Sequence, residues 1–186
     1  LRQDRPDVAV FEVGKGYGAS DDDETTHEWW RLGLALTGAA EIPAWNRPAR
    51  PYDLDDAKGL IELLARRLGL PAPSYVPLTD DPHLHPGRAA RVTAGNVVVG
   101  RVGSLHPSLL DDLELRADDV VVAELAVAGL SGGQPSVPRS ATPSRHPAVE
   151  RDLAVIVSEG TPSAAVDGSI RRHGGLLLRS VGLFDI

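Results

Sequence analysis

AARVTAGNVVVGRV, residues 89–102, sets two strand-like runs on either side of Gly95-Asn96, a two-residue hairpin signal. Strands joined by so short a turn pair antiparallel, because a parallel pair needs a long crossover. Working outward, VVVAEL at residues 120–125 is a β-branched strand. Residues 108–113 between them fit one or two helical turns. Upstream, VAVFEV at residues 8–13 reads as a buried strand, and WWRLGLALT at residues 29–37 alternates as a second. Gly33 inside that run implies a bulge or a close backbone approach.

One helix stands out between these strands. Ala57, Leu60, Ile61, Leu64 and Leu68 fall at i, i+3, i+4, i+7 and i+11, a single apolar stripe. Asp55 or Asp56 can cap its start, and Gly69 followed by Pro71 ends it. Strands and helices do not alternate, so the expected class is α+β with an antiparallel sheet.

The composition changes after residue 128. Residues 129–143 are rich in Gly, Ser and Pro and lack periodicity, which reads as a linker. DLAVIV at residues 152–157 then reads as a strand. Thr161-Pro162 starts a helix with Ala165, Val166, Ser169, Ile170 and His173 inward, stopped by Gly174-Gly175. Residues 176–186 read as another strand. The expected organisation is a module over 1–128, a linker over 129–143 and a β-α-β unit over 144–186.

Bulk properties exclude several classes. The 186-residue chain is 42% apolar and 24% charged, a globular composition. It has no Cys, so a disulfide framework and a thiolate zinc site are both out. No apolar run approaches the roughly 20 residues that span a bilayer. The N-terminus shows no signal-peptide pattern and no initiator Met, so the expectation is a cytoplasmic protein whose natural start lies upstream. Net charge is −7 and uneven: residues 131–186 hold six Arg against five acids, and residues 1–130 hold 13 basic against 21 acidic residues.

Candidate sites each face a plainer alternative. GKGYG at residues 14–18 has phosphate-loop glycines, but acids follow it (DDDE, 21–24) rather than a helix N-terminus. A strand-end turn and a solvated acidic loop are the expected readings. His83 and His85 fall on one side of an extended segment, and His106 with Asp111 could complete a metal site for a hydrolase. The plainer expectation is histidines bonded to backbone groups in turns. Ser104 near His106 and the serines of 140–144 lack a nucleophile-elbow pattern. Arg145, Arg151, Arg171, Arg172 and Arg179 are the side chains most able to meet RNA phosphates, although Arg171 and Arg172 also suit a helix C-terminus.

Four groups of motifs occur together: FEVGKGY (11–17) with LGLALTG (32–38); YDLDDAKGLIELLARRLGL (52–70); LHPGRAA (84–90) with VGRVGSLHPSLLDDLEL (99–115) and VVVAEL; and SRHPAVERDLAVIVSE (144–159) with IRRHGGLLLRSVGLFDI (170–186). In order and spacing the chain resembles the bacterial phenylalanyl-tRNA synthetase β subunit. The resemblance implies a catalytic-like module with a class II synthetase-like sheet but without ATP- or amino-acid-binding residues. It implies an α subunit that does the chemistry with ATP and magnesium, an α2β2 assembly, and transfer RNA for phenylalanine as a partner. No cofactor is expected on this chain, since the family's magnesium-linked carboxylates and editing domain lie upstream of Leu1. The second unit then resembles a truncated ferredoxin-like anticodon-binding domain. Its two strands would lack the strand that pairs between them, so the expectation is a loosely held, swapped or docked segment.

Overall fold

The computed structural model describes residues 6–19, 26–41, 43–131 and 145–184. Its elements are β1 (Val8–Ala19), β2 (Thr26–Thr37), β3 (Ala39–Glu41), β4 (Arg50–Pro51), α1 (Leu54–Leu68), β5 (Pro73–Pro77), β6 (Leu84–Ala94), β7 (Val97–Leu105), α2 (Pro107–Asp112), β8 (Val121–Ala126), α3 (Val127–Leu130) and α4 (Ser163–His173). The chain divides into two compact units, Leu1–Arg139 and Ser140–Ile186.

The first unit is an α+β structure built on a six-stranded sheet in the order β1-β2-β8-β7-β6-β5. Every adjacent pair in it is antiparallel. The hairpin at Gly95-Asn96 forms as its sequence implies: Ala94 pairs with Val97, and Gly95 takes φ of 60°. That left-handed backbone is what the first central position of a II′ turn requires.

Cross-strand rows explain the core. Leu36 pairs with Val121, which pairs with Ser104. Leu34, Ala123, Val102 and Ala90 form the next row, and Leu32, Leu125, Gly100 and Val92 the third. Paired residues share a face, so these rows make one apolar surface. Ala57, Ile61 and Ala65 of α1 lie buried, and Ala57 and Ile61 join the strand residues in the main core cluster. This i, i+4, i+8 stripe differs from the expected one: Ala65 is inside, and Leu60 is 43% exposed. Two alanines on the inner face let the helix lie close to the sheet. The helix also begins earlier than its apolar stripe implies. Asp53 is the cap, accepting from the Asp55 and Asp56 amides, while Asp56 accepts from the Asp53 amide. Gly69 closes the helix in the left-handed conformation, as expected.

Several other expectations are corrected. The glycines of GKGYG make no turn; β1 runs through them in unbroken register with β2. A Cβ at Gly16 would stand 2.4 Å from the Trp29 indole nitrogen, and one at Gly18 would stand 2.7 Å from its ring. These positions are glycine because a cross-strand indole lies over them. Gly33 carries no bulge, since it pairs regularly with Glu12 and Glu124. Sequence reading missed β5, whose terminal prolines hide a strand; it lies at the sheet edge, where proline is tolerated. Gly129 and Leu130, read as linker, lie in α3, and Leu130 packs against the core. Ser131 closes α3, while linker residues 132–143, the acidic 21–24 run and the serines of 140–144 lie outside the described residues.

Among the described residues of the second unit, α4 is the one regular element. Pro162 is its cap residue rather than its first helical residue, with no side-chain cap bond. Residues 152–157 and 176–184 make no strand, so the expected ferredoxin-like β-α-β arrangement is absent among the described residues. Apolar runs such as DLAVIV fit a pleated surface, but strand formation needs a partner for the backbone N–H and C=O groups. Without one, Leu153 is 67% exposed and Ile156 fully so, and no described residue of this unit is buried.

Leu125→Ala, at 2% exposure, is expected to destabilise the first unit by about 2–5 kcal/mol in urea unfolding. Leu60→Ala is expected to cost under about 1 kcal/mol. In amide hydrogen exchange, residues 152–157 should exchange within about tenfold of an unstructured chain, while Val92, Val102 and Ala123 exchange only on global opening; strong protection of 152–157 would overturn this account of the second unit.

Candidate functional site

The face of the sheet turned away from α1 carries polar side chains in cross-strand register. Glu12 and Gly33 pair, Gly33 pairs with Glu124, Glu124 with Arg101, and Arg101 with Arg91. Arg101 donates to Asp81 and, at 2.9 Å, to Glu124. Arg31, two residues from Gly33 and so on the same face, stands 3.4 Å from Glu124 and stacks 5.7 Å from the Trp29 ring. Beside this chain lies a pocket of about 200 Å³, lined partly by His83, Arg101, Val122 and Glu124.

Asp81 is the most enclosed member, its side chain only 9% exposed. Burial pushes its carboxyl up, but the His83 backbone N–H and the Arg101 guanidinium more than offset that and hold it below the ordinary 3.8. Arg101 is thus engaged by two carboxylates, one at each terminal nitrogen. The network fastens β7 and β8 together through Arg101 and Glu124.

A second cluster is more deeply set. Ser104 is 1% exposed and donates to Asp119 Oδ2 at 3.1 Å. Arg88 donates to the same oxygen at 3.0 Å, and Thr37 donates to the Asp119 carbonyl at 2.7 Å. Ser104 is therefore committed to a carboxylate and not to a histidine, so no nucleophile–base pair forms. At the start of α1, Arg50 grips Asp56 through two bonds of 2.7 and 2.8 Å. That contact, more than anything else, holds the Asp56 carboxyl below its ordinary value.

Two of the three histidines bond backbone amides, as the plainer reading expected, but neither does so in a turn: His85 lies in β6 and His106 caps α2. His85 Nδ1 accepts from the Gly87 amide at 3.1 Å. His106 Nδ1 caps α2, accepting from the Ser108 amide at 3.3 Å. His83 Nδ1 stands 3.6 Å from Asp81. His83, His85, His106 and Asp111 are not brought together as ligands: among the described residues no three His, Cys, Asp or Glu side chains gather as a metal would need.

The five candidate arginines all lie in the second unit and all are exposed. Arg171 is engaged with Asp167 at 2.7 Å and with the Val181 carbonyl at 3.2 Å. Arg172 sits in the last turn of α4, where it complements the helix dipole. Arg145, Arg151, Arg172 and Arg179 make no ion pair among the described residues. Sequence reasoning missed the Arg101–Glu124–Asp81 network. Its signal was a charged residue inside each of two apolar strands, Arg101 and Glu124, which become neighbours only once the register is known.

The model of the family described as "Phenylalanyl tRNA synthetase beta chain CLM domain" matches residues 1–127, the stretch that ends with β8. The chain belongs to this family. Relatives named phenylalanine–tRNA ligase beta subunit match along nearly all of it. That of Symbiobacterium thermophilum is 38% identical over 97% of this chain. That of Moorella thermoacetica is 38% identical over 96%, and that of Listeria monocytogenes 33% over 97%. The chain spans about a fifth of their length, 20% to 22%. Family membership bears out the resemblance read from the motifs and sets aside the metal-hydrolase alternative.

Arg101→Met tests the open-face network. A carboxylate depressed in the folded state contributes stability fully present above 3.8 and lost as pH falls through its lower folded value. The substitution is expected to lower stability by about 1–2 kcal/mol at neutral pH, discounted for the exposed side of the guanidinium. The deficit should shrink below pH 3.8. Thermal unfolding at pH 7 and at pH 3 checks this; an equal deficit at both would mean that Arg101 acts through packing alone.

Proposed function

We propose that this chain serves within the β subunit of a cytoplasmic phenylalanine–tRNA ligase, in subunit assembly and transfer-RNA docking rather than in chemistry. The observation that carries the reading is the family match over residues 1–127, continued by the relatives across 96% to 97% of the chain. The six-stranded antiparallel sheet with α1 on one face is compatible with a class II synthetase-like module. Its polar side chains are spent on one another, which suits a part whose work is to be rigid. ATP and magnesium chemistry belong, in this reading, to a partner α subunit in an α2β2 assembly.

Transfer RNA meets the second unit through Arg145, Arg151, Arg172 and Arg179, with Arg171 restrained by Asp167. Arg172 is the sharper probe because Arg171 already has a partner. In the assembled ligase, Arg172→Glu with Arg179→Glu is expected to weaken transfer-RNA binding several-fold and to reduce the slope of log affinity against log salt by about 1 per lost phosphate contact. Phenylalanine-dependent ATP–pyrophosphate exchange, which needs no RNA, should not change. Unaltered RNA affinity and salt slope would remove these arginines from the interface; failure of the chain to co-purify with an α subunit would count against the assembly role.

A further inference from the structure

The two edges of the sheet are built differently. Among the described residues β1 is one edge and β5 the other. β5 has five residues and is bounded by Pro73 and Pro77, so it offers little backbone to another strand. β1 runs 12 residues in unbroken register with β2, with no bulge and no proline. In an antiparallel ladder alternate residues turn their N–H and C=O groups away from the partner, so every second residue of β1 presents these groups to solvent. Its one lysine does not guard the edge, since Lys15 is held by Glu28 at 2.7 Å and lies 5.5 Å over the Trp30 ring.

Apolar side chains flank that open backbone. Phe11 and Tyr17 on one face are 75% and 60% exposed, and Val10 on the other is 53% exposed. A long, regular, apolar edge is a template for a further strand, and the side chains of β1 suit β1 itself. Two identical edges meet antiparallel about a two-fold axis perpendicular to the sheet, which brings like faces together. With the axis at Gly14, Phe11 falls opposite Tyr17 of the second copy, Glu12 opposite Gly16 and Val10 opposite Gly18. The aromatic pair forms twice, and such pairs stabilise a ladder. On the other face each larger side chain meets a glycine whose own side-chain space Trp29 fills. With the axis at Glu12 or Lys15, like charges would stand directly opposite, which is destabilising. With the axis at Val13, both aromatic pairs would be lost.

We infer that β1 is a self-association edge: two copies of this chain pair β1 to β1 about Gly14, with Phe11 of each opposite Tyr17 of the other, and join their sheets into one. The proline-bounded β5 edges stop further growth, so the product is a closed dimer rather than a fibre. The inference goes beyond the reading proposed above and does not depend on it.

The test is sedimentation velocity of the 186-residue chain from about 1 μM to about 1 mM, a span suited to a small, weak interface. A monomer–dimer equilibrium is expected. Phe11→Lys with Tyr17→Lys sets lysine against lysine at both pairs and should weaken the dimer at least about tenfold. Phe11→Lys with Tyr17→Glu sets lysine against glutamate and should bring the dimer back to within about fivefold of wild type. Val76→Lys on edge strand β5 should change nothing. Amide exchange of the wild type needs no variant: alternate amides of β1 should slow as concentration rises, and those of β5 should not. A chain that stays monomeric over the whole range overturns the inference. So does a dimer that survives the double lysine variant, or one that the lysine–glutamate variant fails to restore while its exchange in β6 and β7 shows an intact fold. Larger, open-ended assemblies would also overturn it, because they would mean that β5 is not closed.

Discussion

β8 is the last strand of the first unit in sequence and the third in space, and its insertion between β2 and β7 holds the rest together. Without β8 there would be two separate pieces, the β1–β2 hairpin and the β5-β6-β7 meander. Each would have a half-exposed apolar face. β8 contributes Val121, Ala123 and Leu125 to the core and joins rows that begin on strands remote in sequence. The Thr37–Asp119 bond that accompanies this closure spans 82 positions. Such contacts are entropically expensive to form early, so local hairpins are expected to form first and the β8 docking to be the cooperative step. α1 can then settle only onto the completed surface, since it packs on β8 as well as on β5 and β7.

The polar residues reinforce that step from the other face. Glu124 stands on β8 between Arg31 of β2 and Arg101 of β7. A slip of one residue along β8 would move Glu124 into the apolar core and Ala123 into the charged row, because side chains alternate faces. Asp119 performs the same service just ahead of β8, binding Ser104, Arg88 and, through its carbonyl, Thr37. Exposed ion pairs contribute little to stability, so the weight of these contacts lies in specifying register.

Local features were legible in the sequence. The Gly95-Asn96 hairpin, α1 and its glycine stop, and the strand at VVVAEL depend on neighbours a few residues away. What was hidden depended on distance. The glycines of β1 looked like a turn because the indole that explains them arrives from residue 29. β5 was hidden by prolines that are harmless only at an edge, and edge status is a property of the finished sheet. The Arg101–Glu124 pair looked like two misplaced charges until the register joined them. His83, His85 and His106 looked like ligands by spacing, yet each has a partner two residues away in sequence. Family membership was legible because long motifs survive as wording even where their three-dimensional reason cannot be read.

The two units differ for one physical reason. In the first, each strand run finds a partner that satisfies its backbone and a row that buries its side chains. In the second, DLAVIV has equal strand propensity and finds neither, so Leu153, Val155 and Ile156 remain in solvent. Propensity proposes a strand, but the free energy comes from pairing and burial. The same distinction separates α1 from α4. α1 buries Ala57, Ile61 and Ala65 and is capped by side chains at its start, whereas α4 buries no residue and has no side-chain cap. The first unit therefore has the rigidity to present a surface. The second has exposed backbone and exposed arginines, which a partner able to order them can exploit, at a cost in affinity for the ordering itself.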